Sequence, residues 1–254
     1  MLARDRQNKI LERLNQQGSI KVSKLIELFN VSIETVRRDL EYLEKEGLLK
    51  RVYGGAVLEE VNSKELNFKV REIKDVDLKK EIAKIATRYV KEGDSIALDV
   101  STTNHEFAKE LKNHFNNLTI ITNSINIALE LSDMKNYNIV LVGGLLRHEE
   151  RCLVGNLAET LLDEFHIDTT FLSMSGISVN AQLTDYGFGE VGVKKKMICI
   201  GQKTIVLAQS TKFDVACLLN VATFDDIDMI ITDSKLNKNI LQKYLDLGVD
   251  IINK

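Results

Sequence analysis

Gly18-Ser19-Ile20-Lys21-Val22-Ser23-Lys24-Leu25-Ile26-Glu27-Leu28-Phe29-Asn30-Val31-Ser32-Ile33-Glu34-Thr35-Val36-Arg37-Arg38-Asp39-Leu40 decides how this chain is read. Leu25, Leu28 and Phe29 set an apolar stripe at helical spacing. Asn30-Val31 breaks it, and Ser32 stands where a side-chain oxygen caps the next helix. That second helix carries Val36, Leu40 and Leu43 on one face at i, i+4 and i+7. Its other face holds Glu34, Thr35, Arg37, Arg38 and Glu41. Two short amphipathic helices with a tight break between them suit major-groove docking: the second brings its first turns to base edges while the first crosses the backbone.

Paired arginines also occur on ordinary solvated faces, so the continuation carries the weight. Gly47 is expected to end the helix. Leu48-Leu49 opens an apolar strand, and Lys50, Arg51 and Tyr53 run into Gly54-Gly55, a hairpin signal. Basic residues on such a wing hold phosphates, which position a protein without reading sequence. The expected DNA contacts are Ser32, Glu34, Thr35, Arg37 and Arg38 on the helix and Arg51 and Tyr53 on the wing. Together they form a winged helix-turn-helix over residues 1–58.

A chain of 254 residues is long enough for this module and a second domain with its own core. Hydrophobic residues make up 44% and charged residues 28%, the balance of a soluble globular protein. No apolar run approaches the ~18 residues of a membrane span, and Arg4, Asp5, Arg6 and Lys9 interrupt any signal-peptide core. Cys152, Cys199 and Cys217 are scattered and odd in number, which gives no disulfide framework. A reduced, cytoplasmic protein is expected. The net charge of −3 hides an asymmetry: residues 1–58 hold 11 Lys/Arg against 8 Asp/Glu, a net of +3, leaving −6 for the remainder. A basic DNA module joined to an acidic body fits that split.

Residues 59–75 cluster charges with little periodicity and read as a linker. A helix is predicted over 78–90. Apolar runs at 95–98, 119–121, 139–142, 170–172, 204–207 and 229–231 then alternate with helical segments near 105–111, 125–131, 157–165 and 189–201. This predicts an α/β domain over 76–254 with a mostly parallel sheet covered by helices. Ligands in such folds sit beyond the carboxyl ends of the strands. Asp99, Ser101, Thr102 and Thr103 stand there before a helix start suited to an anion. Asn123-Ser124, Gly143-Gly144, Ser175-Gly176 and Ala208-Gln209-Ser210-Thr211-Lys212 occupy equivalent places. Converging hydroxyls with a lysine point to a phosphorylated or polyhydroxylated ligand.

These residues carry a resemblance. The stretch from Arg4 to Ala56 resembles the DNA-binding domain of DeoR-type bacterial transcription regulators. It does so through Arg6, Ile10, Leu14, Gly18, Leu25, Phe29, Val31-Ser32, Thr35-Val36-Arg37-Arg38-Asp39-Leu40, Leu43, Gly47, Arg51 and Gly54-Gly55-Ala56. The body resembles the effector domain of the same regulators, which is similar in fold to ribose-5-phosphate isomerases. The matching pieces are Leu98-Asp99 with Ser101-Thr102-Thr103, Thr122-Asn123-Ser124, Gly143-Gly144 with Arg147, and Leu153-Val154-Gly155. Further on they are Ser175-Gly176-Ile177, Glu190 with Val193-Lys194, Ser210 with Lys212-Phe213, and Asp226-Ile227-Asp228 with Thr232-Asp233. The resemblance implies a repressor of a carbohydrate-utilisation operon, released from its operator by a phosphorylated sugar. It adds Arg147, Glu190 and Lys194 to the expected effector site and implies no cofactor besides that effector. Ser101 stands where the family usually has glycine, Gln209 where it has aspartate, and Cys152 where serine is common.

Two other functions compete. A sugar-phosphate isomerase carrying a DNA-binding module would need a carboxylate base and a cation, which Asp99, Glu190, Lys194 and Lys212 could supply. An enzyme, however, has no use for the arginine-paired helix. A metal-responsive regulator finds no zinc spacing among His105, His114, His148 and His166. The expected assembly is a homodimer or homotetramer on double-stranded operator DNA, because one recognition helix reads only a half-site.

Overall fold

The computed structural model describes residues 2–45, 48–57 and 68–254. The chain divides into two compact units, Met1–Asp75 and Val76–Lys254. Gly47 and residues 59–67 of the expected linker lie outside the described residues.

In the first unit, α1 (Ala3–Gln17), β1 (Ser19–Lys21), α2 (Val22–Phe29), α3 (Ile33–Lys45), β2 (Lys50–Val52), β3 (Gly55–Val57) and α4 (Phe68–Ile73) follow in order. Gly18 closes α1 in the left-handed region, returning its amide to the Leu14 carbonyl at 2.8 Å. Asn30, also left-handed, makes the break between α2 and α3. Ile10, Leu14, Leu25, Val36, Leu40, Leu43 and Leu49 form the core, joined by Val70 of α4. One expectation needs correcting. Leu28 is 42% exposed, because the buried side of α2 runs through Val22, Leu25, Ile26 and Phe29 and leaves Leu28 off its edge. The wing is antiparallel in the order β1-β3-β2. Its two glycines serve different needs. Gly54 turns the chain at φ +79°, and a Cβ on Gly55 would lie 2.2 Å from the Ile20 carbonyl oxygen.

In the second unit, α5 (Val76–Ala86) leads through a 3₁₀ turn to β4 (Ser95–Leu98), α6 (Thr102–His114), β5 (Thr119–Thr122), α7 (Ile125–Leu131) and β6 (Asn138–Leu141). A ribbon of β7 (Leu145–Arg147) and β8 (Cys152–Val154) precedes α8 (Asn156–Leu162) and β9 (Ile167–Ser173). Then come β10 (Gly176–Ser178), β11 (Gln182–Asp185), α9 (Glu190–Ile200), β12 (Gly201–Leu207), β13 (Leu219–Ala222), β14 (Met229–Ile231), α10 (Lys238–Leu245) and β15 (Ile251–Ile252).

Seven strands form one sheet in the order β15-β14-β12-β9-β4-β5-β6, and every pair in it is parallel. Ile96, Leu98, Phe171, Ile205, Leu207 and Ile231 pack one sheet face against Ile82 of α5, Phe107 of α6 and Ile127 of α7. The mostly parallel α/β body agrees with the sequence reading. The β7–β8 ribbon and a second antiparallel sheet, β10-β11-β13, were not anticipated by it. Strand order supplies the key feature. From β4 the chain builds outward through β5 and β6, then returns to β9 on the other side of β4 and builds outward through β12, β14 and β15. The sheet therefore has a topological switch point between β4 and β9, where helices on opposite sides leave a crevice.

Candidate functional site

In the DNA-binding unit, Ser32 caps α3, its Oγ accepting the Thr35 amide at 3.3 Å and lying 3.1 Å from the Thr35 hydroxyl. Val36, Leu40 and Leu43 are buried, which turns Glu34, Arg37 and Arg38 outward, all exposed, with Thr35 half-buried. Tyr53 is fully exposed at the wing tip. Arg51 is partly engaged: its Nε donates to Glu44 at 2.6 Å and its amide to the same carboxylate at 2.9 Å. This fork ties the wing strand back to α3.

In the second unit, two of the expected residues, Asp99 and Lys194, meet at the switch point. Asp99, just past β4, is 1% exposed and spans the crevice to the end of β9. Its carboxylate accepts the Ser173 amide at 2.9 Å and the Ser173 hydroxyl at 2.8 Å. Asn104, in the first turn of α6, donates to Asp99 at 2.5 Å and to the Phe171 carbonyl at 2.9 Å. Lys194 of α9, 2% exposed, donates to the Ser173 carbonyl at 2.6 Å, lies 2.9 Å from Asp99 and also pairs with Asp185. Ser175 donates to Asp185 at 2.7 Å.

One lysine thus sits between two buried carboxylates. Burial opposes the charge on Lys194, but Asp185, Asp99 and Glu190 overcome it and raise its pKa. Burial pushes Asp99 up despite Lys194. Burial also works against Asp185, yet Lys194 and Ser175 hold it below the usual carboxylate range. The ammonium has three protons, and Ser173, Asp99 and Asp185 engage them.

The neighbouring loops and helix starts are rich in buried polar groups. Ser101 caps α6, accepting the Asn104 amide at 2.9 Å, and Thr102 and Thr103 form the buried first turn at the open, amide-rich end of the helix. Asn123 ties loops together, accepting the Val100 amide at 3.0 Å and donating to the Leu153 carbonyl at 3.2 Å. Ser124 caps α7. Gly144, at φ +142°, lies where a Cβ would meet the Val154 carbonyl at 2.6 Å, and Gly143 beside it faces open space. Gly176 starts β10 in close contact with Thr184 and Val215. Arg147 of β7 donates to Glu190 at 2.6 Å. Burial pushes Glu190 up to about 8, with Glu150 adding to the shift and Lys194 and Arg147 opposing it. Cys152 lies within the field of Glu190, Glu150, Arg147 and Asp99, and its thiol is pushed up by burial. Lys212 ends a half-buried 3₁₀ turn after β12, with the Cys217 thiol in its field.

Asp185, Ser173 and Asn104 were not among the expected site residues. Asn104 directly follows Thr103, and Ser173 precedes Ser175 by two residues. Asp185 ends an antiparallel strand that the pattern did not reveal. Among the described residues no group of His, Cys, Asp and Glu could hold a metal ion.

Residues 6–62 match the DeoR-like helix-turn-helix domain, and residues 74–234 match the DeoR C terminal sensor domain. The chain belongs to the DeoR family. It is therefore a DNA-binding transcription regulator with a helix-turn-helix unit and a sensor unit. It is similar to the transcriptional regulator YulB of Bacillus subtilis, 42% identical over 99% of this chain and 96% of that one. It is also similar to the glycerol-3-phosphate regulon repressor of Escherichia coli, 29% identical over 97% of both chains. Among solved structures, ribose 5-phosphate isomerase A from Methanocaldococcus jannaschii matches 55% of each chain at 21% identity with a TM-score of 0.41. Among the described residues of this DeoR-family chain, no helix is long and apolar enough to cross a membrane.

Proposed function

We propose that this regulator is a repressor whose operator affinity falls when a phosphorylated sugar enters the crevice between β4 and β9. The observation that carries the reading is the meeting of Asp99, Ser173 and Lys194 with the N-terminus of α6 at the sheet's switch point. The phosphate is assigned to the Ser101-Thr102-Thr103 end of α6, where amides, hydroxyls and the helix dipole favour an anion. Arg147, which also pairs with Glu190, and Lys212 supply positive charge. Glu190, Asn123, Ser124, Gly143, Gly144, Ser175 and Gly176 shape the remaining walls. The relative named for a glycerol-3-phosphate regulon supports this ligand class.

The same geometry argues against isomerase activity. A base must be free to take a proton from carbon, whereas both aspartates beside Lys194 are occupied by it and by serine hydroxyls. On the DNA side, the outward arginines of α3 read bases and the wing holds the backbone. The species that binds is a symmetric homo-oligomer, acting in the cytoplasm. A thermal-shift screen of the full-length protein against sugar phosphates tests the ligand class. A ligand at 100 times its dissociation constant should stabilise the sensor unit by roughly 2.7 kcal/mol. No shift across triose, pentose and hexose phosphates, or turnover of any of them, would reject the proposal.

A further inference from the structure

Asp39 lies between the outward arginines of α3 and its buried leucines, yet it is itself only 3% exposed. It faces α1. Arg6 donates to it through Nε at 2.5 Å and through Nη2 at 3.1 Å, and Gln7 adds a third hydrogen bond at 3.2 Å. Ile10, Leu11 and Leu14 of α1 share the apolar core of the unit with Val36, Leu40 and Leu43 of α3. Apolar contacts of this kind tolerate sliding and rotation, because burial has no preferred direction. A two-pronged guanidinium–carboxylate fork does not, since both bonds hold at one setting only.

We infer that Arg6 and Asp39 are positioning residues for DNA reading. Their fork sets the rotation of α3 about its axis and so aims Arg37 and Arg38. Side chains reach about 5–6 Å from a helix axis, so a turn of ~20° moves their atoms by about 2 Å. Bidentate contact with a base edge tolerates roughly 0.5 Å. The fork therefore acts on sequence preference, while general affinity for the phosphate backbone rests on charge that the fork does not alter. This inference depends on α3 being the reading helix.

The test uses the full-length protein. A random duplex pool is enriched on the wild type, and the enriched duplex is compared with a shuffled copy. In Arg6→Met/Asp39→Leu, apolar side chains replace a buried pair, an exchange that commonly leaves stability intact. The variant should melt cooperatively and bind the shuffled duplex with the wild-type affinity and salt slope. Its preference for the enriched duplex should fall by about tenfold or more, the worth of one misread base pair. A wild-type preference in the folded double variant overturns the inference. Arg6→Lys keeps the charge but loses the fork, and it covers the case in which the double variant does not fold. It should lose part of the preference at an unchanged melting temperature, and full retention would overturn the inference equally. Arg37→Ala/Arg38→Ala separates the two readings. If that variant also keeps the preference, α3 is not the reader. If it loses preference while both Arg6 variants keep it, only the positioning role has failed.

Discussion

Lys194 shows what a single buried charge does at this site. Its ammonium offsets the mutual repulsion of Asp99 and Asp185 and donates to the Ser173 carbonyl. Lys194→Met removes the cation and leaves two carboxylates facing each other out of water. Unfolding in urea should show a loss of about 3–5 kcal/mol in the sensor unit, and a loss under 1 kcal/mol would mean that the cluster has other support. Glu190 makes the opposite kind of prediction. Its pKa is about 8 in the folded protein against an ordinary 4.5, so the folded state binds a proton that the unfolded state releases between those values. The contribution of Glu190 is thus fully favourable below pH 4.5 and is lost as pH rises through 8. Glu190→Gln should flatten that fall in stability across the window. An identical pH profile in variant and wild type would mean that Glu190 titrates normally.

At the level of elements, the wing rests on one close approach. Gly55→Ala would push a methyl carbon into the Ile20 carbonyl, so β3 must move away from β1. The expected cost is ~1–3 kcal/mol, read as a lower melting temperature of the DNA-binding unit. An unchanged melt would show that the strands yield freely. The apolar runs at 95–98 and 229–231 coincide with β4 and β14, and the helical run at 125–131 coincides with α7. Parallel strands buried on both faces leave unmistakable apolar blocks, which is why this layer was legible. The ribbon β7–β8 and the sheet β10-β11-β13 have three or four residues per strand and mixed burial, which periodicity cannot register. Asp185 was hidden for that reason. The loops carrying Asp99, Ser101 and Ser124 were found because each follows a strand and caps a helix. The partnership of Asp99 with Ser173 depends on strand order, which no local pattern encodes.

For the whole molecule, the two compact units imply separate stabilities. Sensing and DNA binding should then come apart by mutation. In Thr102→Ala/Lys212→Ala, the ligand-free protein should keep near-normal operator affinity, while loss of one charge-assisted contact weakens the effector by about ten- to a hundredfold. A ligand can release the operator only through its different affinity for two conformations, so in cells this variant stays bound in the presence of inducer. Operator binding titrated with effector measures it, and equal midpoints would remove these residues from the site. The wing carries one more consequence. Ser19 pairs with Val57, so β1, which follows α1 directly, is hydrogen-bonded to the last strand of the wing across the whole helix-turn-helix. The strands that flank the helix-turn-helix close on each other, and neither β1 nor β3 can leave without opening the ring. Local fraying is thereby denied to the wing. The amides of the β1–β3 ladder should exchange with deuterium only as fast as the whole unit unfolds, and the wing and α3 should then move as one rigid body.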